Sequence, residues 1–169
     1  QLSEFAVDFL EAKYPNGYFL MIEGAHIDKM SSKKDMDGML AYLDEFDNAV
    51  EAVKAQMSDK GDYSLILTAD HECGDLQYNG ETKEQINSSM FHATYHTKAD
   101  VYYYTDFKLK NGTQFDFVKN IDNTDIFKMC YALISDFKLK KHRIIMYSKR
   151  TARFRSSFYA LFGFIHNLY

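Results

Sequence analysis

The stretch Phe19-Leu20-Met21-Ile22-Glu23-Gly24-Ala25-His26-Ile27-Asp28-Lys29 opens as an apolar run and stops abruptly in carboxylates and imidazole. A second stretch, Leu65-Ile66-Leu67-Thr68-Ala69-Asp70-His71-Glu72, is built the same way. A buried strand tolerates such groups at its end when they are paired or hold a cation, because an unpaired buried charge is very costly. Two such ends in one chain point to a shared polyvalent metal site. Between them, Met36, Met39, Leu40, Leu43, Phe46, Val50, Val53 and Met57 form one stripe of a long helix predicted from about Asp35 to Met57. Lys60-Gly61-Asp62 ends that helix. Tyr18 to Ile22 and Tyr63 to Thr68 then read as two fully buried strands flanking it. Strand, helix, strand at this spacing is a βαβ unit, which implies a parallel sheet covered by helices. Ligands of such sheets sit beyond the carboxyl ends of the strands, which is where Glu23, Asp28, Asp70 and His71 fall.

Outward from this unit the pattern continues. Leu2, Phe5, Phe9 and Leu10 recur at helical spacing, with Ser3 as the expected cap, and Pro15-Asn16-Gly17 breaks that helix. Thr82 and Gln85 form a capping-box pattern for a short helix reaching about Met90. His96 follows in a loop, and Val101 to Tyr104 is strand-like. Phe107 to Phe117, interrupted by Asn111-Gly112, reads as a hairpin. Asp122-Asn123-Thr124 is the expected cap of a helix from about Asp125 to Ser135.

The 169 residues suffice for one ordinary domain, and 46% apolar with 26% charged residues is the composition of a soluble globular protein. No apolar run reaches the roughly eighteen residues that span a bilayer. Gln1-Leu2-Ser3-Glu4 has no initiator Met, basic start or signal-like core, which predicts processing or a longer parent chain. Cys73 and Cys130 fit neither a disulfide framework nor a zinc ribbon and read as small buried hydrophobes. Charge is uneven: residues 136–169 hold eight of the 20 Lys+Arg, including all four arginines, against the single acid Asp136. That segment carries +7 and residues 1–135 carry −11 of the net −4. An acidic body is a poor nucleic-acid binder, so no nucleic-acid partner is expected. The expected division is therefore 1–135 as the domain and 136–169 as a basic, aromatic tail. The tail reads as a membrane anchor (Lys138 to Arg155, then Phe158 to Ile165) or as an extension outside the evolved domain, and the sudden compositional change favours the second.

Asp28, Asp70, His71 and His96 offer the nitrogen and oxygen donors that zinc accepts in open catalytic sites, and Glu23 offers hard oxygen suited to magnesium. Two divalent ions about 4 Å apart clamp the attacking and leaving oxygens of an in-line phosphoryl displacement. The bland alternatives are a capped strand end for Asp70-His71, a surface histidine for His96 and a salt-bridge partner for Glu23. At these residues the chain resembles the C-terminal half of the alkaline phosphatase family. The motifs are Phe19 to Lys29, Asp35 to Leu40 with Glu45 to Val50, Thr68 to Gly74, His96-Thr97, and Asp122 to Phe127. Together they cover roughly residues 1–135.

The resemblance implies a three-layer α/β/α sandwich, incomplete because only the C-terminal part of the sheet is represented. It implies phosphomonoester hydrolysis with two zinc ions and one magnesium. By position, Glu23 resembles the magnesium ligand. Asp28 and His96 resemble ligands of the zinc that binds the leaving-group oxygen, and Asp70 and His71 those of the zinc that activates the nucleophile. Lys29 resembles a residue that faces the phosphate through solvent. It further implies an extracytoplasmic location, secreted or periplasmic, and a homodimer in the complete enzyme. Ser32 stands where the family has a second imidazole, so the Asp28/His96 site is expected to be impaired, and Asp75 stands where glycine is usual. The nucleophilic serine belongs to the family's other half; Ser31, Ser32, Ser88 and Ser89 are not candidates. The reading is a phosphomonoesterase fragment inactive alone. Its alternative is a non-catalytic fragment that binds a metal or a partner through an exposed sheet edge, with another member of the metal-dependent superfamily, such as a phosphomutase, ranked behind.

Overall fold

A computed structural model of the chain describes residues 2–60, 63–108, 121–135 and 142–149. It is a mixed α/β structure with a four-stranded, mostly parallel sheet flanked by helices. The elements run α1 (Leu2–Lys13), β1 (Gly17–Gly24), α2 (His26–Ser32), α3 (Met36–Ser58), β2 (Tyr63–Ala69), β3 (Glu72–Cys73), β4 (His96–Thr97), β5 (Tyr103–Lys108), α4 (Asn123–Ser135) and β6 (His142–Lys149). The described residues divide into two compact units, one within 2–22, 49–67 and 104–147, the other within 23–48, 68–103 and 148–149.

The first unit holds most of the sheet, whose strand order is β1-β6-β2-β5. From Tyr63 to Leu67, β2 is buried on both faces, as its unbroken apolar run predicts. β1 is not: exposure alternates along it, with Phe19 at 43% and Met21 at 56%. The expectation of a fully buried first strand is corrected here. Strand β1 is an edge strand, so an apolar run alone did not determine the burial of both its faces. α1 shows the same departure. Leu2, Phe5 and Phe9 are exposed, Phe5 stacks on Phe9, and Val7 and Ser3 are the buried residues. Ser3 lies within the helix and is not its cap.

The segment set apart by its charge contributes β6, which lies between β1 and β2. Ile144 packs with Ile66, Cys130 and Leu133 in a core that Ile126 and Met146 adjoin. The buried Arg143 is accommodated because its guanidinium grips Glu11: Nε and Nη2 each donate to a carboxylate oxygen, the latter at 2.7 Å. Asp122 caps α4 as expected, its carboxylate accepting from the Thr124 amide at 2.9 Å. Of the hairpin expected over Phe107 to Phe117, the first two residues end β5 and the rest falls outside the described residues, as does the aromatic run from Phe158. No described helix is long and apolar enough to cross a membrane.

The second unit is organised by α2 and the first part of α3. The stripe predicted for α3 is buried at Met36, Met39, Leu43 and Phe46, and continues in the first unit at Val50, Val53 and Met57. α2 ends in a Schellman turn, with the Asp35 amide donating to Met30 O at 2.9 Å and the Lys34 amide to Ser31 O at 3.0 Å. Lys34 takes the left-handed conformation (φ 56°) that this turn demands. Asp35 then caps α3 by accepting from the Gly38 amide at 3.0 Å. The helix expected from Thr82 to Met90 is instead two single 3-10 turns, Lys83–Gln85 and Ser88–Met90. Asn87 separates them because its side chain accepts from the Ser89 amide at 2.9 Å, competing with helix continuation.

Candidate metal centre

Three short elements of the second unit carry the donors. α2 begins one residue after β1, and packing decides how closely it can follow: a Cβ on Gly24 would lie 2.7 Å from Phe46 Cδ2 and 3.2 Å from Ile27 Cδ1. Ile27 and Asp28 are both buried, so the helix turns an apolar and an acidic residue inward together. β2 delivers Asp70 and His71 just past its last residue, Ala69. β3 then pairs antiparallel with β4, Glu72 opposite Thr97 and Cys73 opposite His96. That two-residue ladder places His96 beside His71.

Ligand atoms of Asp28, His71 and His96 lie within 4.8 Å of one another, a spacing that can hold a metal ion. The two imidazoles stack with ring centroids 3.6 Å apart. Asp28 Oδ2 is 3.5 Å from His96 Nε2, the carboxylate buried and the imidazole half exposed. His71 Nδ1 lies 3.1 Å from the Glu72 carbonyl oxygen, which can only accept. That contact fixes the orientation of the His71 ring. Two nitrogens and one carboxylate oxygen are a donor set that suits zinc and leaves a coordination position for another group. On this test the residues fit one ion.

The other expected donors are placed differently. Asp70 is outside the trio, its side chain 42% exposed and Oδ2 3.6 Å from His71 Nε2. Glu23 is at the exposed end of β1, also outside the trio. Lys29 is exposed on α2. Ser32, one turn beyond Asp28, pairs with Cys73 Sγ at 3.1 Å. His26 starts α2 and stacks on Tyr42 with ring centroids 4.7 Å apart, and it is not one of the trio. The serines are in structural contacts: Ser31 Oγ donates to Ile27 O at 2.9 Å, Ser88 Oγ accepts from the Met36 amide at 3.3 Å, and Ser89 Oγ bonds Asn87 Oδ1 at 2.6 Å.

Two supporting residues had no assigned role in the sequence reading. Glu72 is fully buried, one oxygen accepting from the Thr97 hydroxyl and the other from the Leu76 amide at 3.4 Å. This clamp ties the residue after His71 to the residue after His96. The available signal was a glutamate inside the apolar-flanked run ending at Cys73-Gly74. Cys73 and Cys130 are free and buried, as expected. Burial pushes the Cys73 thiol up, and the bond to Ser32 only partly offsets it. Asp75, where glycine was expected, has φ 45°, and its carboxylate accepts from Gln77 Nε2 at 2.7 Å. Aspartate is among the few side chains that tolerate this region.

The alkaline phosphatase family model matches residues 1–148. Among curated proteins, the chain is 35% identical over 71 residues to alkaline phosphatase H of Pseudomonas aeruginosa (strain UCBPP-PA14), a match covering 42% of this chain and 15% of that protein. It is 32% identical over 71 residues to the alkaline phosphatase of Escherichia coli (strain K12), with the same 42% and 15% coverage. The matched part thus spans 15% of the length of these bacterial relatives. No solved structure matches at comparable significance. With the family model extending over most of its length, and an Asp/His cluster where metal donors were expected, the chain belongs to the alkaline phosphatase family.

Proposed function

We propose that the chain is the metal-holding, C-terminal part of a phosphomonoesterase built as an α/β/α sandwich, and that its complete form hydrolyses phosphate monoesters outside the cytoplasm as a homodimer. The convergence of Asp28, His71 and His96 within 4.8 Å carries this reading, together with the family membership. A divalent ion bound there supplies positive charge to phosphate oxygens. Asp28 and the two imidazoles hold it, and Glu72 and Thr97 keep β3 and β4 in register. Lys29, exposed on α2, adds a positive charge that orients an incoming dianion through solvent. Asp70, with Oδ2 3.6 Å from His71 Nε2, and Glu23 are the donors for the further zinc and the magnesium that the resemblance implies.

This chain alone is inactive in the proposal, since no serine of the described residues is assigned as nucleophile. Metal analysis and hydrolysis of p-nitrophenyl phosphate by the 169-residue chain test it. Bound zinc with turnover below detection is expected. A chain that retains no divalent ion after gel filtration contradicts the metal reading, and brisk hydrolysis contradicts the inactivity.

A second reading is a non-catalytic fragment that associates through apolar surface. It is favoured by the exposure of Leu2 at 88%, Phe5 at 68% and Met21 at 56% on α1 and edge strand β1.

A further inference from the structure

We propose that two copies of this chain pair through α1, whose outward apolar stripe forms a short parallel helix–helix seam. The pairing rests on the second reading above, association through apolar surface, and fixes the partner as another copy of this chain. It is separate from the homodimer proposed for the complete form.

Three observations carry it. First, Leu2, Phe5, Phe9 and Ala12 follow one another at intervals of three, four and three residues, the alternation by which the a and d positions of a heptad build a seam. All four are exposed, Leu2, Phe5 and Phe9 by half or more, on the side of α1 opposite the buried Ser3 and Val7. A helix that packs through one face alone carries polar residues on the other. Second, the stripe is already ordered. Phe5 stacks on Phe9 with ring centroids 6.5 Å apart, and Lys13 Nζ lies 5.4 Å from the Phe9 centroid and 5.6 Å from that of Tyr14. Third, the flanking charges suit a second copy. Asp8 stands before Phe9 at position g and Lys13 after Ala12 at position e, and across a parallel pair these positions face each other. A two-fold axis therefore brings Asp8 to Lys13 of the partner subunit on both sides of the seam. An antiparallel pair would set Asp8 against its own copy. Gln56 Nε2 donates to Asp8 Oδ1 at 2.6 Å, and Lys60 Nζ lies 3.6 Å away, which holds the carboxylate in place while most of it stays exposed.

An aromatic side chain buries about 150–250 Å² when fully covered. The exposed parts of Phe5, Phe9 and Tyr14, with Leu2, fall short of the roughly 800 Å² per partner of a standard interface, so the pairing is weak and concentration-dependent.

Sedimentation equilibrium of the full chain over a wide concentration range tests it, with circular dichroism of every variant to verify the fold. A monomer–dimer equilibrium with a micromolar dissociation constant is expected. Phe5→Glu and Phe9→Glu should each weaken it by about tenfold or more, and Lys13→Glu by about threefold. Ala12→Cys should cross-link to its own copy on oxidation, because position 12 adjoins itself in a parallel seam and the native Cys73 and Cys130 are buried. Ala12→Cys chains that cross-link to Leu2→Cys chains but not to each other would overturn the parallel seam. A dimer unaffected by Phe5→Glu and Phe9→Glu would overturn it too and leave the second reading standing. So would a monomer that binds the apolar dye ANS and loses it in Phe5→Glu, since the stripe is then open to a different partner. A monomer that binds no ANS would overturn both.

Discussion

Ser32 and Gly74 show how single residues set this centre. Ser32 is one helical turn beyond Asp28, so an imidazole there would share the carboxylate's face of α2. The serine instead binds the Cys73 thiol and fastens α2 to β3. Asp28 and His71 stood out in the sequence because each follows an apolar run that would not otherwise end in charge, whereas His96 was singled out by the resemblance at His96-Thr97. That the ligand atoms of these three residues lie within 4.8 Å of one another was not legible, because it depends on the register of the β3–β4 ladder. Gly74, just after that ladder, has φ 87°, and a Cβ there would stand 2.8 Å from Phe91 Cδ1 and 3.3 Å from the Ser31 carbonyl oxygen. Its amide donates to Tyr95 O at 3.1 Å, and its carbonyl accepts from the Ala93 amide at 2.9 Å. Gly74→Ala should therefore lower stability by about 2 kcal/mol through backbone strain and overpacking together. Urea denaturation measures this, and an unchanged midpoint would contradict the strain.

Among the elements, α3 was nearly fully readable because its stripe extends over many turns: the expected Asp35–Met57 appears as Met36–Ser58. Short elements were not. Thr82 and Gln85 do make one expected contact, the Thr82 amide to Gln85 Oε1 at 2.9 Å, yet the turn stops there because Asn87 offers its side chain to the backbone. β6 was hidden by its neighbours. A net positive segment with four arginines reads as an extension outside the domain, and the pairing of Arg143 with Glu11, far away in sequence, cannot be seen from local charge. Ile144 and Ile145 are buried as completely as the residues of β2. If β6 is an integral strand of the sheet, Ile144→Ala leaves a cavity beside Ile66 and Leu133 and should cost about 3 kcal/mol. An Ile144→Ala chain with unchanged thermal unfolding would show that β6 is dispensable to the core.

At the scale of the whole molecule, charge and apolar surface follow different rules. The α/β class was legible because βαβ spacing is a chain-wide pattern, while the outward faces of α1 and β1 were not, since burial on a second face depends on what packs there. The Glu11–Arg143 pair joins α1 to β6 and makes the stability of the first unit depend on pH. Burial alone would raise the Glu11 carboxyl, but hydrogen bonds from Arg143 and Tyr18 and the Arg143 charge outweigh it, holding the group below its ordinary 4.5. Burial foremost, then the hydrogen bond to Glu11 and the Glu11 charge, push the Tyr18 hydroxyl well above its ordinary 10.0, with Arg143 opposing them. A carboxyl with a depressed folded pKa binds fewer protons folded than unfolded, so its stabilisation is complete above the unfolded value. It is lost as pH falls through the folded one. Unfolding free energy of the chain should therefore drop below pH 4.5, the ordinary value of this group. In Glu11→Gln that component of the acid slope disappears, while at neutral pH the variant is weaker by about 2 kcal/mol because Arg143 loses its charged partner. Denaturant unfolding of both chains from neutral to acid pH measures the two effects together. Parallel pH profiles would mean that Glu11 does not carry the linkage.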